Sequence, residues 1–360
     1  MMKSIYKITL LLFISPMIIF GNVDHKKQEK SKTIKKEFTV NKDAKVTIDN
    51  KYGDLNISTW NKNKVEVEVK ITVKGNDIDD VTNSLNKISI DFNTSTSFIN
   101  IKTQFEKEKS NWSWFKGSKK ISYKINYYVK MPETNSVDLN NDYGGIFLEN
   151  LSGKADINCD YGKIHLGNLT ATENNINLDY CSSSTISYIK SGDINIDYSK
   201  LTVDNSEDIR ANLDYSTLKF GQTNNINFNA DYGSVSINEA ENIIGNSDYT
   251  SMSFGTVKKN LNIDTDYGSI SVKRLAKDFK NVTIDGQYAG IRIGVDPDAI
   301  FDFELNLQYA SFKTDNEKIE FYKKISKTTK KYYEGKYGKG SSNSKINIRS
   351  QYGGVTIREN

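Results

Sequence analysis

The stretch of residues 225–238 reads NINFNADYGSVSIN. Its first half alternates, with Ile226, Phe228 and Ala230 separated by asparagines. A period of two is the pattern of a strand with one buried face. Asp231, Tyr232 and Gly233 then intervene, and a second alternation follows with Val235 and Ile237 as its apolar members. The apolar positions stand two, four and six places before Tyr232, but three and five places after it. A shift of one residue sends side chains to the opposite face of a strand. If both arms cover the same interior, the chain must turn a corner beside the tyrosine.

This pattern recurs through most of the chain. Its marker tyrosines are Tyr143, Tyr161, Tyr180, Tyr198, Tyr215, Tyr232, Tyr249, Tyr267, Tyr288, Tyr309 and Tyr352, and an isolated earlier copy, VTIDNKYGDLNI, is centred on Tyr52. The first ten are spaced by 18, 19, 18, 17, 17, 17, 18, 21 and 21 residues, and the last gap is 43. Before Tyr161 stand Cys159, Ile157 and Ala155; before Tyr309 stand Leu307, Leu305 and Phe303. After the tyrosine come pairs such as Ile164 and Leu166, Leu218 and Phe220, and Ile291 and Ile293. One such unit cannot bury its own apolar arms, whereas stacked copies can. The period is too short for helical-pair repeats or propeller blades and suits one coil of a solenoid. The sequence therefore predicts an all-β fold, a single-stranded parallel β-helix (β-solenoid) with 17–21 residues per rung.

Stacking would place the tyrosines in one column. By continuation of the first arm they are expected on the inner face, each adding about 1.5–3 kcal/mol by burial and about 0.5–1.5 kcal/mol by ring contact. The residue after each tyrosine is Gly, Ser, Ala, Thr or Cys. The corner is expected there, since Gly permits positive φ. The residue before the tyrosine is Asp142, Asp160, Asp179, Asp197, Asp214, Asp231, Asp248 or Asp266, and then Gln287, Gln308 and Gln351. These carboxylates should face outward about 4.8 Å apart, repelling by roughly 1 kcal/mol per neighbouring pair. Hydrogen bonds from corner backbone N–H groups are the expected compensation. A calcium ion held along the column is the alternative, although the denser Gly-Asp pattern of calcium-binding solenoid repeats is absent.

The remainder of the chain divides by composition. Residues 1–21 have Lys3 and Lys7 ahead of an apolar run from Ile8 to Phe20 and read as a signal peptide. That run is too short for a membrane span, and no second one follows, so an exported chain without a transmembrane segment is expected. Residues 22–37 read as a basic, disordered linker. Residues 38–135 read as a β-rich region with one short helix, since DIDDVTNSLNKI puts Ile78, Val81, Leu85 and Ile88 at helical spacing. Residues 136–312 hold the regular rungs, residues 313–345 a Lys- and Tyr-rich insertion, solvated and mobile, and residues 346–360 the final rung. A basic loop, KSNWSWFKGSKK, carries Trp112, Trp114 and Phe115 as a folded-back anchor or a contacting tip. From Ser136 to Ala310 there are 25 acidic and 13 basic residues, a balance of −12 against a total of +4, so the rest carries +16. Cys159 and Cys181 fall in different columns of the repeat, which disfavours a disulfide, and two histidines exclude a histidine-rich metal centre.

Taken together, VTIDNKYGDLNISTW, VEVEVKITV, the helical segment, INYYVKMPETNSVDLNNDYGGIFLENLSG and the run of Tyr-Gly rungs resemble the DUF4097-type, adhesin-like β-solenoid proteins of Bacteroidota, the auto-transporter adhesin head-like group. The resemblance spans about residues 38–360 and implies an exported envelope protein with no catalytic residues and no cofactor to carry over. The expectation is a non-catalytic adhesin-like or scaffolding protein of the periplasm or cell surface, with envelope glycans or other envelope proteins as partners. A polysaccharide-active β-helix enzyme is the first alternative, and would need paired carboxylates on one broad face. A periplasmic stress-response or sensing accessory is the second. No Ser-His-Asp set, phosphate loop, zinc spacing or basic-aromatic nucleic-acid surface is visible.

Overall fold

The structure, a computed structural model, describes residues 27–106, 120–314 and 317–360. The proposed signal peptide and the Trp112, Trp114 and Phe115 loop lie outside the described residues. The described residues form two compact units, divided between Ala171 and Thr172. Both are β-solenoids built mainly of parallel strands. Among the described residues no helix is long and apolar enough to cross a membrane.

In the second unit a representative coil runs from Ser216 to Tyr232. Seven of its residues point inward and are buried: Ser216, Leu218, Phe220, Thr223, Ile226, Phe228 and Ala230. The parity breaks at three places where two successive residues both face out: Gly221–Gln222, Asn224–Asn225 and Asp231–Tyr232. The coil thus has two long inward faces and a third reduced to Thr223. Corresponding residues of consecutive coils pair in parallel register, so Ile226 lies beside Ile209 and Ile243, and Thr223 beside Ser206 and Ala240. The polar inward residues bond along the column: Ser206 Oγ donates to Thr223 Oγ1 at 2.8 Å, and Ser247 Oγ to Thr265 Oγ1 at 2.9 Å.

The expected corner lies one residue earlier than the sequence suggested, and the tyrosine rings lie outside, not inside. Every marker tyrosine has positive φ, between 47° and 57° apart from 67° at Tyr52. The left-handed conformation makes Asp and Tyr two successive outward residues. The inward place at the corner belongs to the next residue, whose small size provides clearance rather than conformational freedom. None of the glycines in that column has positive φ. A Cβ on Gly144 would lie 1.9 Å from the Gly53 carbonyl oxygen of the adjacent coil.

Coil order in space departs from chain order at one end of each unit. In the first unit, Lys45–Lys51 lies between Phe98–Phe105 and Ser136–Asp142, parallel to both. Its second arm, Leu55–Trp60, lies between Ser122–Pro132 and Gly145–Leu148. The Tyr52 coil is therefore flanked on both sides. Beyond it, Ile88–Thr94 covers Phe98–Phe105, and Gln28–Thr39 and Lys64–Gly75 continue from Ser122–Pro132, all antiparallel. Gln28–Thr39 is thus a paired strand and not the disordered linker its charge suggested. Its lysines suit an exposed sheet edge. The helix Ile78–Asn86 is capped by Asp77, whose carboxylate accepts from the N–H groups of Asp79 and Asp80, both at 2.9 Å. It buries Val81 and Leu85. Lys32 Nζ donates to the carbonyls of Leu85 and Ile88, at 3.0 and 2.6 Å.

In the second unit residues 345–359 do not follow the Tyr309 coil. They lie between it and the Tyr288 coil. The segment read as a mobile insertion is a hairpin, Ile319–Ser326 with Lys330–Tyr337, packed antiparallel on Phe301–Gln308. Tyr337 is fully buried there and stacks on Phe301 at 4.8 Å. Gly144→Ala tests corner clearance: overpacking should cost about 1–3 kcal/mol of stability. An unchanged urea midpoint would show that the corner has room to spare.

Candidate functional site

The most extended exterior feature is the tyrosine corner. In the second unit Tyr180, Tyr198, Tyr215, Tyr232, Tyr249, Tyr267, Tyr288, Tyr352 and Tyr309 form a file with ring centroids 4.7–5.0 Å apart and planes within 6° of parallel. In the first unit Tyr52, Tyr143 and Tyr161 stack at 5.4 and 5.1 Å. In each unit the marker tyrosines are about half exposed, 49–52% at Tyr143 and Tyr161 in the first and 44–54% in the second. Since ring faces cover one another, solvent meets edges. In most coils the tyrosine N–H donates to the backbone carbonyl of the residue before the neighbouring tyrosine, for example Tyr232 to Asp248 at 3.0 Å and Tyr288 to Gln351 at 2.8 Å, whereas the Tyr309 N–H donates to the Thr329 carbonyl of the hairpin at 2.8 Å.

Those bonds bear on the expected compensation of the aspartate column. The tyrosine N–H groups at the corner are taken by carbonyls, and in two coils the next N–H goes to a hydroxyl: Cys181 N–H to Ser199 Oγ at 2.8 Å and Ser199 N–H to Ser216 Oγ at 3.0 Å. The carboxylates face outward beside the rings. Burial, then the charges of Asp214 and Asp179, push the Asp197 carboxyl above the usual carboxylate range. One Asp179 carboxylate oxygen is buried with no hydrogen-bond partner among the described residues. Beside one aspartate of each unit another group intervenes. Lys51 Nζ lies 3.4 Å from Asp142 and within 5.4 Å of the Tyr52 and Tyr143 ring centres. Gln287 Nε2 reaches Asp266 at 3.4 Å. Among the described residues no three or more His, Cys, Asp or Glu side chains converge as a metal centre. Cys159 and Cys181 are both buried thiols.

Two asparagine ladders escaped the sequence reading. Three places before the tyrosine, Asn158 Nδ2 donates to Asn140 Oδ1 at 2.8 Å in the first unit. In the second, Asn195 donates to Asn177, Asn212 to Asn195 and Asn229 to Asn212, at 2.8, 2.9 and 3.0 Å. A further ladder runs Asn260 to Asn242 to Asn225, both steps 2.7 Å, and on to Asp208 at 2.5 Å. The recurrence of Asn three places before the tyrosine was a readable signal. A buried polar cluster was equally unforeseen: Thr103 Oγ1 donates to Asn50 Oδ1 at 3.0 Å and pairs with the Tyr127 hydroxyl at 2.7 Å, while Asn50 Nδ2 donates to Asn141 Oδ1 at 2.9 Å.

The first unit also carries a groove of about 1,510 Å³, bordered by Tyr128, Phe147, His165, Asn56 and several glutamates. Three of its four carboxylates are engaged: Glu68 with Lys35 at 2.8 Å, Glu37 with Lys64 at 2.5 Å, and Glu149 accepting from Thr59 N–H at 3.0 Å.

No protein-family profile matches the chain, and no curated protein does. Solved structures do. A candidate cell adhesion protein from Clostridium sporogenes is 13% identical over 93% of this chain and 100% of that one, with a TM-score of 0.19. A candidate adhesin from Parabacteroides distasonis is 10% identical over 73% and 93%, with a TM-score of 0.32. A candidate lipid binding protein from the same organism is 9% identical over 90% and 96%, with a TM-score of 0.25. At these identities and scores the likeness assigns no function.

Two substitutions test the corner. Tyr232→Ala removes the ring but keeps the left-handed backbone, and should cost about 1–3 kcal/mol. Tyr232→Gly loses the same ring but relieves about 1–2 kcal/mol of strain, so it should be the milder; the reverse ranking in denaturant unfolding would sink the account. The folded chain holds the Asp197 proton to higher pH than the unfolded chain, so stability is lost as pH rises from the unfolded to the folded pKa. Asp197→Asn should therefore raise the melting temperature at neutral pH, and the gain should vanish once both pKa values lie above the pH.

Proposed function

We propose that this chain is a non-catalytic, exported component of the cell envelope, an adhesin-like or scaffolding solenoid that works through its lateral surface. The observation that carries this reading is the uniformity of the exterior columns. The same ring edge recurs at every rung, the same carboxylate at eight rungs from Asp142 to Asp266, and the same amide over several coils. Such a surface suits a partner that is itself extended and repetitive, such as an envelope glycan or another envelope protein. Many weak contacts in register then add up without a deep pocket.

The stacked rings favour contacts through edges and hydroxyls. A sugar seeking a ring face finds each one already covered by the next tyrosine. An enzyme would need one coil to depart from the rest, with a carboxylate pair set apart for acid and base roles. Glu37, Glu68 and Glu149 beside the first-unit groove instead serve ion pairs and a backbone contact.

Cell fractionation with protease treatment of intact cells tests the proposal. The protein should partition with the envelope, and purified protein should bind envelope material while leaving pectin- and alginate-like polymers intact. Recovery from the cytosol, or turnover of any such polymer, would overturn it.

A further inference from the structure

The coil of residues 345–359 occupies a slot between two coils that are consecutive in the chain. Its strand Lys345–Gln351 pairs in parallel with Asn281–Gln287 on one side and with Phe301–Gln308 on the other. Its strand Val355–Glu359 pairs likewise with Gly290–Val295 and with Phe312–Lys313. Tyr352 is stacked between Tyr288 at 4.7 Å and Tyr309 at 5.0 Å. Everything the slot requires is therefore carried by one contiguous stretch: two ladders of main-chain bonds, the ring, and inward Ile346, Ile348, Ser350, Val355 and Ile357.

The stretch is portable. It is joined to the hairpin strand Lys330–Tyr337 by residues 338–344, GKGSSNS, in which Gly338 and Gly340 have φ of +80° and +119°. This connector passes over Phe301–Gln308, which is clasped between Lys330–Tyr337, antiparallel, and Lys345–Gln351, parallel. Without the inserted coil, Asn281–Gln287 and Phe301–Gln308 would both present open edges, and open edges are templates for pairing with another chain.

We propose that the slot accepts residues 345–359 of a second copy of this chain, so that copies become joined by exchange of this coil. The bonds formed are the same whether the coil comes from its own chain or another, so only the connector's path and the chain concentration decide between them. Donor and slot are different patches. A reciprocal exchange closes a dimer, and a one-way exchange leaves a free donor and a free slot and continues the series.

A register pair supplies the test. Gly286 and Ser350 face each other as inward residues of adjacent strands. Their backbones are about 4.8 Å apart, within the span of a disulfide. The full chain carrying Gly286→Cys and Ser350→Cys, in a Cys159→Ala, Cys181→Ala background, is unfolded, refolded at low or high concentration, and oxidised. We expect an internal disulfide after dilute refolding, and covalent dimers and larger species, collapsing on reduction, after concentrated refolding. A monomer band at both concentrations overturns the proposal. A second measurement adds no cysteine: two differently tagged full chains should co-purify when refolded together but not when refolded apart and then mixed. Co-refolded chains that separate overturn the proposal, as does equal association of chains folded apart, which would mark contact between finished surfaces.

Discussion

Each marker tyrosine turns its coil with a backbone that an isolated L-residue adopts only at a cost of about 1–2 kcal/mol. What offsets that cost lies in the neighbouring coils. A ring contact contributes about 0.5–1.5 kcal/mol and partial covering of the ring roughly as much again, and neither exists until another coil is in place. The asparagine ladders obey the same rule, because each amide finds its partner one coil away. The corner is thus a cooperative device, unfavourable singly and favourable in a column. That is the logic by which stacked repeats gain stability from their interfaces.

Much of this was legible in the sequence. The alternation before and after Tyr232, with its change of parity, defined two arms and a corner, and the near-constant spacing defined the coil. The helix at Ile78–Asn86 was legible from its apolar spacing. The orientation of the rings was not, because a one-residue shift of parity can be absorbed at the tyrosine or just after it, and both place the arms identically. The small residue that follows was open to two readings, backbone freedom or clearance. The negative φ of the glycines at that position and the approach of Gly53 to Gly144 decide between them. Gln28–Thr39 misled through its charge, since the lysines that protect a sheet edge are also those that fill a solvated linker. The 43-residue interval before Tyr352 signalled an interruption. It could not signal that the next coil returns between two earlier ones, because pairing order leaves no trace in local pattern.

The candidate site was legible in part. The aspartate column was visible as a run of identical positions, but its surroundings were not. In the coils of Tyr180 and Tyr198 the corner N–H groups are taken by carbonyls and by Ser199 and Ser216, not by the carboxylates. The chain tolerates the repulsion between carboxylates where water screens it, and sets Lys51 and Gln287 against it at two points along the run. A chain with a modest total charge therefore carries a locally strong acidic stripe, bordered by neutral amides that fix one another's orientation.

From Tyr198 to Tyr249 the interval is 17 residues three times in succession, and the same inward positions recur in each coil. Coils of this kind are interchangeable parts: deleting one, or copying one, would bring the same faces together and leave the inserted coil and hairpin of the second unit untouched. The length of the array is thus open to change by duplication and loss of a short gene segment, with no fresh core to be designed each time. Reach could be adjusted over generations in steps of a single strand spacing.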